Sequence, residues 1–247
     1  MASDAITAET VMIPGDGGDT IEAYAATCRD DAPRGGVVVI HHMPGYDRET
    51  KEHTRRFAAA GYNAICPNLY WREAPGAAPE DAAATARAGG GVPDDRLVGD
   101  VAGAMTWLKA LPNSNGKVAT IGYCSGGRQS WLANGNLPLD AAIVCYGAFI
   151  VGDTPEGIPP RPTLEHLAPA MSGPILGLFG NEDRFPTPDQ VDQLEKLLTD
   201  AGKPFEFHRY DGAGHSFFSV DRSAYRPEQA VDGWGRIFTF LGTHLAA

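Results

Sequence analysis

Val118-Ala119-Thr120-Ile121-Gly122-Tyr123-Cys124-Ser125-Gly126-Gly127-Arg128 is an apolar strand pattern that ends at a cysteine and passes at once into a helix. A Gly-x-Cys-x-Gly run of this kind is the thiol counterpart of the Gly-x-Ser-x-Gly elbow, a tight strand-to-helix turn that lifts a nucleophile clear of a sheet. Gly122 and Gly126 lack Cβ atoms, so strand and helix can approach closely there. A helix from Ser125 to about Ala133 would aim its positive N-terminal end at the sulfur and favour the thiolate. Free cysteines are also among the most buried residues, so the motif needs partners before it carries chemistry.

Working outward, strand and helix patterns alternate. Thr10 to Ile13 and Thr20 to Cys28 flank Pro14-Gly15-Asp16-Gly17-Gly18 and read as a hairpin. Gly36 to His42 is a β-branched run of the kind buried on both faces, and Met43-Pro44-Gly45-Tyr46 follows as a loop. Asp47 can cap the next helix, which Gly61 stops; Asn63 to Tyr70 is the next strand. Trp71 to Pro93 is a loop rich in Ala, Pro and Gly, helical over Ala82 to Ala88, and a helix runs from Asp94 to Leu111. Beyond the elbow come a strand at Ala141 to Gly147, a Pro/Gly-rich loop at Ala148 to Pro162 and a strand at Gly173 to Gly180. Pro188 to Ala201 is an amphipathic helix, Phe205 to Tyr210 a strand, and Pro227 to His244 the closing helix. This alternation predicts one α/β domain over 1–247, a mainly parallel sheet with helices on both faces and ligands at the carboxyl ends of its strands.

Composition narrows the function. A net charge of −11 repels nucleic acid and anionic membranes. The N-terminus has neither a basic nor an apolar run and no segment approaches membrane-spanning length, which predicts a cytoplasmic protein. Cys28, Cys66, Cys124 and Cys145 have no zinc-type spacing, so reduced thiols are expected. His41 and His42 are adjacent at a strand end, point to opposite faces and have no metal-spaced companions, so no metal is expected.

Two further strand ends supply the partners. The strand ending at Phe179 runs into Gly180-Asn181-Glu182-Asp183, and the strand ending at Tyr210 runs into Gly212-Ala213-Gly214-His215. Nucleophile, acid, histidine is the chain order of α/β-hydrolases. In that reading Cys124 attacks an acyl carbonyl, His215 manages the proton and Asp183 orients the imidazole, with Glu182 as rival for the acid. The oxyanion donors would be the backbone N–H groups of Ser125 and Met43. Tyr46, Tyr70, Trp71, Tyr123 and Tyr146 stand at strand ends, where aromatic side chains can line a pocket.

Gly122-Tyr123-Cys124-Ser125-Gly126-Gly127, Cys66-Pro67-Asn68-Leu69-Tyr70-Trp71-Arg72 and Gly214-His215-Ser216-Phe217 together resemble the motifs of the dienelactone hydrolase (carboxymethylenebutenolidase) family, and the likeness runs from about Val37 to Leu245. The resemblance implies a cofactor-free hydrolase of small esters or lactones, monomeric or weakly dimeric, that works through an acyl-enzyme. It places Arg72 where family members bind a substrate carboxylate, and His42 where they carry a glutamate beside the thiol. A second family arginine is replaced by Ser219, which weighs against dienelactone itself as substrate. The short loop after Gly147 leaves no room for a large cap domain. A thioesterase or thiol peptidase on the same residues, and a non-catalytic ligand-binding protein of this fold, are the alternatives.

Overall fold

The computed structural model describes residues 5–154 and 160–246. The first four residues of the N-terminal stretch and positions 155–159 of the loop expected between Ala148 and Pro162 lie outside the described residues. The chain forms two compact units, one running to Thr120 and taking in the end from Leu245, the other Ile121–His244.

In the first unit β1 (Ile6–Pro14) and β2 (Thr20–Cys28) form the expected hairpin, antiparallel, with Ile13 opposite Ile21. β3 (Arg34–Ile40), α1 (Arg48–Ala59) and β4 (Asn63–Pro67) make a parallel crossover, and β2 pairs antiparallel with the far side of β4. Val37 to Ile40 are wholly buried because α1 and α3 (Asp94–Lys109) both pack on β3 and β4. Asp47 caps α1 as expected: its Oδ1 accepts from the Thr50 N–H at 2.8 Å. Between β4 and α3 lies the short α2 (Pro79–Ala88), which starts three residues before the predicted helical stretch.

β3 and β4 are shorter than their apolar runs. β3 ends at Ile40, and β4 ends at Pro67, where the ring removes a backbone donor and the Asn68 side chain takes up the Tyr70 N–H in a turn. His41 and His42 therefore lie in a loop rather than alternating along a strand. The His41 ring is locked there, Nδ1 against the His42 carbonyl and Nε2 accepting from the Leu69 N–H.

β5 (Ser114–Tyr123) starts in the first unit and ends in the second. Beyond it the second unit contains α4 (Ser125–Asn136), β6 (Ala141–Cys145), β7 (Ile175–Gly180), α5 (Pro188–Asp200), β8 (Phe205–Tyr210) and α6 (Pro227–His244). β6, β7 and β8 are parallel neighbours in that order, with α4 on β6, α5 on β8 and α6 on β6 and β7. No helix among the described residues is long and apolar enough to cross a membrane.

Candidate active site

The turn after β5 has the strained geometry that its sequence predicts. Cys124 has φ 56° and ψ −119°, a left-handed conformation that non-glycine residues rarely adopt. It is held by the Cys124 N–H donating to the Cys145 carbonyl at 3.1 Å and by the Gly127 N–H donating back to the Cys124 carbonyl at 3.0 Å. A Cβ on Gly122 would stand 1.9 Å from the Gly126 oxygen, which is why this position has none. The crowding also reaches Gly127, whose Cβ would meet the Cys145 carbonyl and Gly147 at 2.8 Å. Cys124 is half-buried at the head of α4, with Ser125 as the first helical residue.

The acid and the imidazole come from two loops fastened to each other. After β7 the Asn181 N–H donates to Tyr210 and the Glu182 N–H to Ala213, which lays the loop after β7 against the loop after β8. Asp183 turns inward, 5% exposed, while Glu182 faces solvent. Asp183 Oδ2 meets His215 Nδ1 at 2.9 Å, and Oδ1 accepts from the Phe185 N–H at 2.8 Å, so both carboxylate oxygens are committed. Burial pulls the His215 imidazole down, but the Asp183 carboxylate and the Cys124 sulfur within hydrogen-bonding reach outweigh it and push it up to about 10. One compact unit thus holds a thiol, an imidazole and a carboxylate in a row.

Of the other expected site residues, Tyr146 lies in this unit and is 1% exposed, its ring edge-on to His215 with centroids 5.1 Å apart. It packs behind the imidazole rather than lining an open pocket. His42, Met43, Tyr70, Trp71 and Arg72 belong to the first unit. Met43 and Trp71 are half-buried there; Tyr70 is buried edge-on to His41, with centroids 4.8 Å apart. Arg72 departs from the expectation of a substrate clamp. Its Nε meets Asp19 Oδ2 at 2.7 Å, and Nη1 and Nη2 each meet an oxygen of the fully buried Asp100 at 2.9 Å. The guanidinium fork is committed to the chain's own carboxylates. Neither Asp19 nor Asp100 was readable as its partner, because nothing in the spacing marks so distant a contact.

His42 is buried, with Nε2 3.1 Å from Asp47 Oδ2. Burial raises the Asp47 carboxyl, yet His42 and the Thr50 N–H prevail and hold it at about 2. Glu49 lies close enough that ligand atoms of His42, Asp47 and Glu49 fall within 4.8 Å of one another. The two acids stand at the positive N-terminal end of α1, where carboxylates are stabilised without a cation.

A family model described as "Dienelactone hydrolase family" matches residues 21–245. A protein of Escherichia coli (strain K12) named "Putative carboxymethylenebutenolidase" is 32% identical over 243 residues, covering 96% of this chain and 88% of its own. The carboxymethylenebutenolidase of Pseudomonas putida is 30% identical over 219 residues, covering 85% and 86%. A crystal structure from Klebsiella pneumoniae titled "Putative Dienelactone Hydrolase" superposes with a TM-score of 0.84 at 28% identity, covering 97% of this chain and 99% of that one. The elbow, the mainly parallel strands and these likenesses agree: the chain belongs to the dienelactone hydrolase family, a hydrolase of the ester- and lactone-cleaving type with the α/β-hydrolase fold.

Proposed function

We propose that the chain hydrolyses small esters or lactones with Cys124 as nucleophile, His215 as proton carrier and Asp183 as its orienting acid, through a thioester acyl-enzyme. The observation that carries this reading is the committed row from Asp183 through His215 to Cys124 at the ends of β7, β8 and β5. The Cys124 thiolate adds to the acyl carbonyl, and the Ser125 N–H stabilises the oxyanion. As the carbon–oxygen bond breaks, His215 gives its proton to the leaving alkoxide; in a lactone this alcohol stays tethered to the acyl group. Water then loses a proton to His215 and adds to the thioester, and the sulfur leaves as thiolate. Every proton and bond is handled by the chain's own groups, so the reading needs no cofactor.

A neutral substrate fits best, because the protein carries a net charge of −11 and Arg72 is committed elsewhere. His42, Tyr70 and Trp71 remain proposed substrate-side residues on the family pattern. Steady-state assay of short-chain esters, lactones and thioesters tests the reading. Cys124→Ala is expected to remain folded and lose at least about a thousandfold in kcat, and iodoacetamide to inactivate the wild type by labelling Cys124. Full activity in the alanine variant would overturn the assignment. Preference for thioesters would move the substrate class, and absence of turnover on all three would favour a binding protein.

A further inference from the structure

Among the described residues, the non-glycine positions with left-handed backbone are Cys124, Tyr146, Phe149 and Ser216, and all of them lie in the second unit beyond the ends of β5, β6 and β8. Such strain persists only where surrounding structure enforces it, and it concentrates where geometry serves function. Cys124 is the nucleophile of the elbow and Ser216 follows His215, so two of the four are accounted for. Tyr146 and Phe149, on the loop after β6, are not.

Their contacts supply the account. Tyr146, φ 39°, is pinned by its N–H donating to the Leu178 carbonyl at 2.8 Å, and its ring meets His215 edge-on. Phe217 and Phe218 stand behind that ring at centroid distances of 5.4 and 6.2 Å, so it cannot retreat. Phe149, φ 60°, sets its ring 5.5 Å from that of Phe185, and the Phe185 N–H is the donor that holds Asp183 Oδ1. One strained loop thus presses on the imidazole directly and on the carboxylate through its backbone donor. Asp183 holds His215 at Nδ1 and the Cys124 sulfur lies within hydrogen-bonding reach of the ring, but neither contact fixes the imidazole plane about the line between them. The Tyr146 ring stops rotation about that line.

We propose that the Tyr146–Phe149 loop is a positioning element for the His215–Asp183 pair, with Tyr146 setting the imidazole plane and Phe149 the carboxylate. This rests on the Cys124–His215–Asp183 reading above. Both are positioning residues, acting through others. A displacement of about an ångström in a reacting group can cost on the order of a hundredfold in rate, so a modest loosening is measurable.

The test uses the rate of Cys124 alkylation by iodoacetamide as a function of pH, with kcat and KM on p-nitrophenyl acetate, and a thermal melt to report folding. For Tyr146→Leu we expect alkylation at pH 7 and kcat each to fall about tenfold, because the imidazolium beside the sulfur is less well placed, with KM within about twofold of wild type. Tyr146→Phe, which keeps the ring, should restore the wild-type pH profile. Phe149→Leu should lower kcat several-fold with KM unchanged. A rise in KM with alkylation and kcat preserved would make Tyr146 a pocket wall and overturn the proposal, as would a folded Tyr146→Leu that matches wild type throughout. Should Tyr146→Leu fail to fold, Phe149→Leu decides: a fall in kcat and alkylation supports positioning, and wild-type values overturn it. Wild-type protein whose Cys124 alkylates but which turns over no ester would fail the hydrolase reading while the alkylation profiles still decide this one.

Discussion

Arg72 shows how a residue can match a motif and yet serve another purpose. Its position beyond β4 fits the arginine with which family members bind a carboxylate, but its fork grips Asp100, which is wholly buried, and Asp19. These hydrogen bonds hold the guanidinium charged, well above its ordinary range, against the opposing effect of burial. Removing it would take the countercharge from the buried Asp100, which keeps the Asp16 N–H as a donor, and loss of one partner costs about 3–5 kcal/mol in comparable pairs. Arg72→Ala is therefore expected to lower unfolding stability by about 3 kcal/mol in a urea melt, and to leave the rate ratio for a matched acid and methyl-ester substrate pair unchanged. A selective loss on the acid would reinstate the substrate clamp. The preference for Asp183 over Glu182 was open in the sequence, where two adjacent carboxylates differ only in direction; the side-chain burial separates them.

At the scale of elements, patterning located nearly every strand and helix, and β8 and α6 have the predicted ends. The ends of β3 and β4 were missed because apolar runs continue past the hydrogen-bonded ladder: His41 and Leu69 are buried by side-chain contacts in a loop. The strained loop after β6 was also hidden, since Tyr146 and Phe149 are not residues that announce a left-handed backbone. The elbow was legible because its constraint is written in glycines. That constraint gives a sharp comparison. Gly122→Ala forces a Cβ to 1.9 Å from a carbonyl oxygen, whereas Gly76→Ala, at φ 73° with nothing within 4 Å, meets backbone strain alone. We expect the first to cost about 3 kcal/mol or prevent folding and to abolish activity, and the second to cost about 1 kcal/mol with activity intact. Equal effects on melting temperature and rate would mean that close packing at the elbow is unimportant.

For the whole molecule, the order in which strand ends deliver Cys124, Asp183 and His215 was readable, but the boundary between the two compact units was not, because it falls inside the continuous strand β5 and no composition change marks it. The same burial that builds the first unit carries a pH signature. Burial pulls the His41 imidazole down to about 4 and, with Arg56 adding repulsion, His53 to about 3. Both are neutral in the folded protein, while the unfolded chain protonates them below about pH 6.5. The unfolded state therefore binds more protons below that value, and the stability contribution, complete above pH 6.5, is lost as pH falls toward 4 and then 3. A second, lower step comes from Asp47, held at about 2: its contribution is complete above about pH 3.8 and is lost as pH falls through 2. His215, pushed up to about 10, acts in the opposite sense: its contribution is complete below about pH 6.5 and is lost as pH rises toward 10. Unfolding free energy measured by urea titration is thus expected to peak near pH 6.5 and to drop by a few kcal/mol, on the order of 2 to 4, between pH 6.5 and 4. His53→Gln removes one of the two titrating rings and should flatten that fall by up to about half, even if it lowers stability at pH 7. A variant whose slope matched the wild type would show that buried histidines are not the source of acid sensitivity, and would shift it to the carboxylates that titrate below pH 4.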